Sequence, residues 1–302
     1  NRNITINLRE IVKHMPKKAH PMDVARTVVS VMGLEDKDTN NNSPTANMRK
    51  AIRIFSKTPT AIAAFFRARK GKNVIPPKKG LGFSENFFYM CFGKIPGKEI
   101  IKAFDVSLIL YAEHSFNVST FTARTITSSL SDIHSAITGA IGSLKGPLHG
   151  GANEEVMHMM NKIKKPENAL KWINKALDNK DVVMGFGHRV YKKGDSRVPT
   201  MEKYFKKVSK ISKDKKFHKI YDLVKNVMIE RKNIHPNVDY PTGPTYHLMG
   251  FDTDFFTPIF VLSRITGWSA HIMEQHAANK LIRPLSKYSG EEYRKVMLLN
   301  QR

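Results

Sequence analysis

The sequence predicts a mainly α-helical fold. Apolar residues recur at helical spacing, strand-like runs are few, and no series of strands alternates with helices as a doubly wound sheet requires. The clearest stripe is Ile220, Leu223, Val224, Val227 and Met228, spaced i, i+3, i+4, i+7 and i+8. Val156, Met159, Met160 and Ile163 repeat it after Asn153, which reads as an N-cap followed by the acidic pair Glu154 and Glu155. Thr257–Pro258 opens a further helix, with threonine as cap and proline in the first turn, running to about Asn279. His20-Pro21-Met22-Asp23 reads as another helix start, ahead of VARTVVSVMG. The best strand signal is Asp181–Met184, just before Gly185. LEDKDTNNNSPT and KGKNVIPPKKGLG, polar or rich in turn residues, read as loops.

At 302 residues and 41% hydrophobic, the chain can bury one large core or two modest ones. No apolar run reaches the roughly eighteen residues of a membrane span. The nearest, around Phe255–Ile265, is cut by Pro258, Ser263 and Arg264. The single cysteine, Cys91, excludes a disulfide framework within the chain and suits a reducing compartment. It lies in FFYMCF and reads as a buried thiol. The formal charge of +24 attracts polyanions: nucleic acid, anionic membrane, or a coenzyme with phosphates. The densest basic stretch, Lys203–Lys219, reads as a solvated helix face plus loop. No motif with interleaved aromatics supports nucleic-acid binding. The first residues, NRNITINLREIVKHM, lack the core of a secretory signal and fit a transit peptide poorly.

Four segments set polar groups among glycines or at helix starts. In Gly146-Pro147-Leu148-His149-Gly150-Gly151-Ala152-Asn153, a helix N-terminus near His149 disfavours imidazolium. A neutral imidazole can donate to a carbonyl that is becoming an enolate. A surface turn with an incidental histidine is the alternative. In Met184-Gly185-Phe186-Gly187-His188-Arg189-Val190-Tyr191, then Asp195-Ser196-Arg197, the glycines expose backbone N–H groups near His188. Arg197 can fork onto a carboxylate. The full dinucleotide fingerprint is absent, and a tight turn with a basic surface reads equally well. In His235-Pro236-Asn237-Val238-Asp239-Tyr240-Pro241, flanking prolines stiffen the backbone around Asp239, and a held carboxylate can take a proton from carbon beside a carbonyl. An Asx-turn or helix cap is the alternative. Arg264, within an apolar helix, and Arg283 could join Arg197 in holding a dicarboxylate; structural ion pairing is the alternative. No HEXXH, CxxC or GxSxG is present, and no metal site is expected.

Taken in order, AEHSFNVSTFTART, ITGAIGSLKGPLHGGANEEV, GFGHRVYKKGDSR, NVDYPTG and FTPIFVLSRITGWSAHIMEQ…LIRPLSKY resemble the citrate synthase family, and most closely its 2-methylcitrate synthase branch. The resemblance runs from about His20 to Tyr288. It implies an all-α, two-domain homodimer, with a large domain (residues 1–152 and 251–302) and a small mobile one (153–250). It implies that an acyl-coenzyme A, propionyl-CoA before acetyl-CoA, condenses with oxaloacetate and that the thioester is then hydrolysed, with no tightly bound cofactor. His149 is then the residue that stabilises the enol, Asp239 the base, and His188 the donor to the keto oxygen. His114, Arg197, Arg264 and Arg283 are the oxaloacetate pocket, with Arg283 reaching into the partner's site. Gly185, Phe186, Gly187 and Lys192 fall where the family holds coenzyme A. Ser196 stands where the family has proline, and the family's usual first stretch has no counterpart here, so the expectation is either a fragment or a truncated amino terminus. Either the mitochondrial matrix or a bacterial cytoplasm fits, and the basicity leans towards the matrix.

Overall fold

The computed structural model describes residues 2–191 and 193–302. Helices account for nearly all its regular structure: α1 (Ile6–His14), α2 (Pro21–Glu35), α3 (Pro44–Ala68), α4 (Phe83–Phe92), α5 (Lys98–Tyr111), α6 (Val118–Ser128), α7 (Ile133–Leu144), α8 (Ala152–Ile163), α9 (Ala169–Asp178), α10 (Val198–Ser212), α11 (Lys216–Lys232), α12 (Asp239–Leu248) and α13 (Phe256–Ala277). The fold is all-α, as expected.

The helix starts follow local chemistry. The His20 side chain accepts the Met22 N–H at 3.2 Å, Pro21 opens the first turn of α2, and the helix buries Met22, Val24, Ala25, Val28, Val29 and Met32. The stripe on α11 buries Ile220, Val224, Val227 and Met228 as its spacing predicts. Two caps differ from expectation. The N-cap of α8 is Gly151, and Asn153 lies inside the helix, fully buried. The chain doubles back on the end of α7 there, with the Gly150 N–H donating to Leu144 O at 3.0 Å and the Gly151 N–H to Gly146 O at 3.2 Å. A Cβ on Gly150 would meet Leu144 at 2.5 Å, so the bend itself selects glycine. Likewise α13 is capped by Phe255, and Thr257 lies inside it. The Thr257 hydroxyl and N–H both donate to Glu154 Oε1, a tertiary partner that outcompetes the local cap.

The expected strand at Asp181–Met184 does not form. Among the described residues there is only an isolated antiparallel bridge, Phe186 with Pro236. Gly187 N–H donates to His235 O and Asn237 N–H to Gly185 O, both at 2.9 Å. With no neighbouring strands to share a ladder, the segment satisfies its backbone by this single crossing. Gly185 makes the crossing possible: its φ is +85°, and a Cβ at this position would lie only 2.6 Å from Val156 Cγ2 and 2.9 Å from Tyr240 Cδ2. Gly185→Ala is therefore expected to cost about 3 kcal/mol of stability, read as a lower denaturation midpoint.

α13 runs through the core with Trp268 fully buried, packed on α3, α5, α6 and α7. α8, α9, α10, α11 and α12 pack largely on one another, with α10 also touching α5. Cys91 is buried, as expected. Much of the basic run lies exposed on α10 and the start of α11, where Glu202 pairs with Lys206 and Lys225. No helix is long and apolar enough to cross a membrane among the described residues.

Candidate active site

His149 lies in the turn between α7 and α8. Its Nε2 is 2.7 Å from Ser119 Oγ and 3.3 Å from the Ser119 N–H, at the start of α6. The backbone N–H can only donate, so Nε2 accepts and the ring proton belongs on Nδ1. Trp268 Nε1–H donates to Ser119 Oγ at 3.1 Å, and Asn117 Oδ1 lies 2.7 Å from the same oxygen, so the one hydroxyl proton is shared between Asn117 Oδ1 and His149 Nε2. Burial, then the nearby charges of Arg264 and His114, lower the His149 pKa to about 4. The ring is therefore neutral at physiological pH. Burial is the largest of these causes, and the start of α8 lies close by, where the sequence places it.

His188 is oriented differently. Its Nδ1 accepts the N–H groups of Val190 at 3.0 Å and Tyr191 at 3.4 Å, leaving the proton on Nε2. Burial and Arg197 hold its pKa below the usual histidine value. His114, between α5 and α6, lies 5.0 Å from His188 between ring centroids, and its Nε2 is 3.1 Å from the Tyr191 hydroxyl. Burial, Arg197, His188 and Arg264 lower it too.

Asp239 is the first residue of α12. Its Oδ1 accepts the Tyr111 hydroxyl at 2.5 Å. Burial pushes its pKa up to about 6, against the opposing pull of Tyr111, Arg197 and Arg264. A carboxyl poised near neutrality is suited to general-base work.

Two arginines face this group. Arg197 forks onto Asp195, Nε to Oδ1 at 2.9 Å and Nη2 to Oδ2 at 2.7 Å. Asp195 also accepts the Val238 N–H at 3.0 Å, and so ties the arginine to the residue before Asp239. Arg264 is 2% exposed. Its Nε donates to Tyr111 O at 2.6 Å, its guanidinium lies 4.7 Å over the Phe260 ring, and its Nη1 is buried without a partner. Burial, then Arg197, lowers its pKa to about 10. An unpaired buried guanidinium N–H is costly, and a carboxylate on a ligand would satisfy it.

The structure thus gathers His114, His149, His188, Arg197, Asp239 and Arg264 through shared contacts and fields. It does not gather Arg283. Ile282 N–H donates to Ser128 Oγ at 3.0 Å, at the far end of α6 from Ser119, and Arg283 is exposed. At 1.5 Å of rise per residue that is about 14 Å away along the helix. Gly185, Phe186 and Gly187 border the cluster, with the Phe186 ring 4.4 Å from Tyr240 and Gly187 lining a cleft with His188, Tyr191, Asn233 and Ile234. Lys192 lies outside the described residues. No group of three or more His, Cys, Asp or Glu is placed to hold a metal among the described residues. Sequence reasoning gave Ser119, Asp195 and Tyr111 no role, although each stands in or beside one of the motifs. The D-x-R spacing of Asp195 and Arg197 was the one signal that could have found a partner.

The family model described as citrate synthase, C-terminal domain, matches residues 1–285. The chain belongs to the citrate synthase family. It is a condensing transferase of the citrate synthase type. It is 51% identical over 294 residues to the 2-methylcitrate synthase of Mycobacterium tuberculosis H37Rv, covering 97% of this chain and 74% of that one. It is 50% identical over 297 residues to the citrate synthase of Mycolicibacterium smegmatis, covering 98% and 79%. The crystal structure of citrate synthase from Thermotoga maritima superposes with a TM-score of 0.86 at 36% identity, covering all of this chain and 80% of that one. The structure of Thermoplasma acidophilum citrate synthase in ternary complex with carboxymethyl coenzyme A and oxaloacetate also gives a TM-score of 0.86, at 32% identity and with 100% and 81% coverage. These relatives are bacterial or archaeal, so the lean towards a mitochondrial matrix finds no support among them.

Proposed function

We propose that this citrate synthase family enzyme condenses propionyl-CoA with oxaloacetate, as a 2-methylcitrate synthase does. The observation that carries the chemistry is the half-buried Asp239 carboxyl, poised near neutrality between Tyr111, Arg197 and Arg264. Asp239 takes a proton from the α-carbon of the acyl group. His149, carrying its proton on Nδ1, donates to the thioester oxygen and stabilises the enol. The enol carbon bonds to the keto carbon of oxaloacetate, whose oxygen receives a proton from His188 Nε2. Water then cleaves the C–S bond, giving the coenzyme thiol and the free tricarboxylate.

His114, Arg197 and Arg264 hold the oxaloacetate carboxylates, and the unpartnered Nη1 of Arg264 supports that role. The ternary complex of the Thermoplasma relative supports oxaloacetate and a coenzyme A thioester as the ligands. The 185–187 turn and Lys192 are the coenzyme contact. Residues 153–250 form the small domain, which closes on the large one (1–152 and 251–302) and excludes water at the enol stage. The mutual packing of α8 to α12 supports this division. The enzyme works as a homodimer with Arg283 completing the partner's site. The exposed Arg283, Val118 and Phe121 suit burial against a second copy. The named bacterial relatives suit a bacterial cytoplasm.

The second reading, a citrate synthase preferring acetyl-CoA, is favoured by the Mycolicibacterium relative. One methylene in an apolar pocket is worth only about 1–3 kcal/mol, so both substrates should react. Thiol release with each acyl-CoA and oxaloacetate tests the proposal, with kcat/KM expected to be higher for propionyl-CoA. A preference for acetyl-CoA of about tenfold or more would hand the enzyme to the second reading. No release from either would overturn both.

A further inference from the structure

Tyr111, the last residue of α5, is fully buried and fixed from two sides. Its ring lies on Phe260 with centroids 4.0 Å apart, and its carbonyl accepts Arg264 Nε at 2.6 Å. From that anchorage its hydroxyl donates to Asp239 Oδ1. No other hydrogen bond reaches the Asp239 carboxylate among the described residues, and the Asp239 N–H donates instead to Asn237 Oδ1 at 3.1 Å. That bond takes up one lone pair of Oδ1 and draws electron density from it, while both lone pairs of Oδ2 stay free, which makes Oδ2 the more available and more basic atom.

We propose that Tyr111 is a positioning residue that ties down Oδ1 of Asp239 and leaves Oδ2 as the atom that accepts the α-proton. The proposal rests on the reading of Asp239 as the base. Tyr111 also joins that base to Arg264, because one residue offers its hydroxyl to the carboxylate and its carbonyl to the guanidinium. An oxaloacetate carboxylate seated on Arg264 is thereby registered against the base through one residue, by its backbone carbonyl and its hydroxyl.

The bond also bears on acidity. Burial raises the Asp239 carboxyl, and Tyr111 is the largest opposing influence, ahead of Arg197 and Arg264, while Asp195 acts with burial. Tyr246, on α12 itself, feels the Asp239 charge, and burial raises its pKa well above its ordinary value. Burial also holds the Tyr111 phenol well above its ordinary value, so it remains a donor across the working pH range. Removing the hydroxyl would leave Asp239 protonated to higher pH.

The test is the pH profile of kcat for Tyr111→Phe, which keeps the ring on Phe260. The acidic limb is expected to move up by about one pH unit, from about 6 to about 7, which roughly halves kcat at pH 7, with the KM for oxaloacetate little changed. A purely structural role would lower activity at every pH without moving the limb. If the phenylalanine variant does not fold, Tyr111→3-fluorotyrosine keeps the shape with a stronger donor, and the limb should move to lower pH. An unmoved limb in the folded variant overturns the proposal. Asp239→Asn is measured alongside: if it retains activity, the base reading itself has failed; if it is inactive while the limb stays put, only the role of Tyr111 has.

Discussion

Asp239→Asn should lower kcat by about a thousandfold while oxaloacetate affinity changes little. Asparagine keeps the shape and can still accept from Tyr111, but its amide cannot take a proton from carbon. The arginines of the proposed oxaloacetate pocket are untouched, so binding measured by calorimetry should survive. A variant that kept most of its kcat would remove Asp239 from the role of base. The wild-type pH profile carries the same claim. With the Asp239 pKa at about 6, kcat/KM should fall as pH drops through 6, while His149, held at about 4, is still neutral there. Stability should move the other way. A carboxyl whose pKa is raised on folding is held ionised at a cost above that pKa, and the cost disappears as pH falls towards its ordinary value of 3.8. Asp239→Asn should therefore melt higher than wild type at about pH 7.5, and the gain should shrink between about pH 6 and pH 4. Such a trade of stability for activity is common at catalytic groups.

Arg264→Met should weaken oxaloacetate binding by about a hundredfold, the scale of losing one buried charge-assisted contact. Methionine keeps an unbranched apolar side chain over Phe260 but has no N–H to offer a carboxylate. The empty protein should become more stable, by about 2 °C in Tm, because a desolvated cation with an unsatisfied Nη1 is gone. The sign follows from the pKa, which burial lowers from 12.5 to about 10; below pH 10 the folded state bears the cost of keeping this group charged. Calorimetry and a thermal melt without ligand read the two effects separately. Unchanged oxaloacetate affinity would take Arg264 out of the pocket. A lower Tm would mean that its bond to the Tyr111 carbonyl matters more to the fold than the cost of its unsatisfied charge.

The sequence was most informative where periodicity or ordered motifs spoke. The α11 stripe and the His20–Pro21 start of α2 are local facts, set by 3.6-residue spacing and by a cap within reach of its own helix. The sequence was least informative where a distant partner replaced a local one. Thr257 has every mark of a cap, yet its hydroxyl serves Glu154, 103 residues away. Asp181–Met184 has strand composition, yet a strand needs a neighbour that this helical chain does not supply. Arg264 could be flagged as an expensive arginine in an apolar helix, but its empty Nη1 could not be foreseen.

By itself the sequence determined the helical class, the family, and which histidines, arginines and aspartate to examine, because spacing and motif order are properties of the chain. Only the tertiary structure decided which nitrogen of His149 and of His188 carries the proton, why Asp239 is poised near 6, and that Arg283 stands apart from its own chain's cluster. Those outcomes depend on burial and on partners such as Ser119, Tyr111 and Asp195. Desolvation and hydrogen bonding act through space, between residues that the linear order keeps apart.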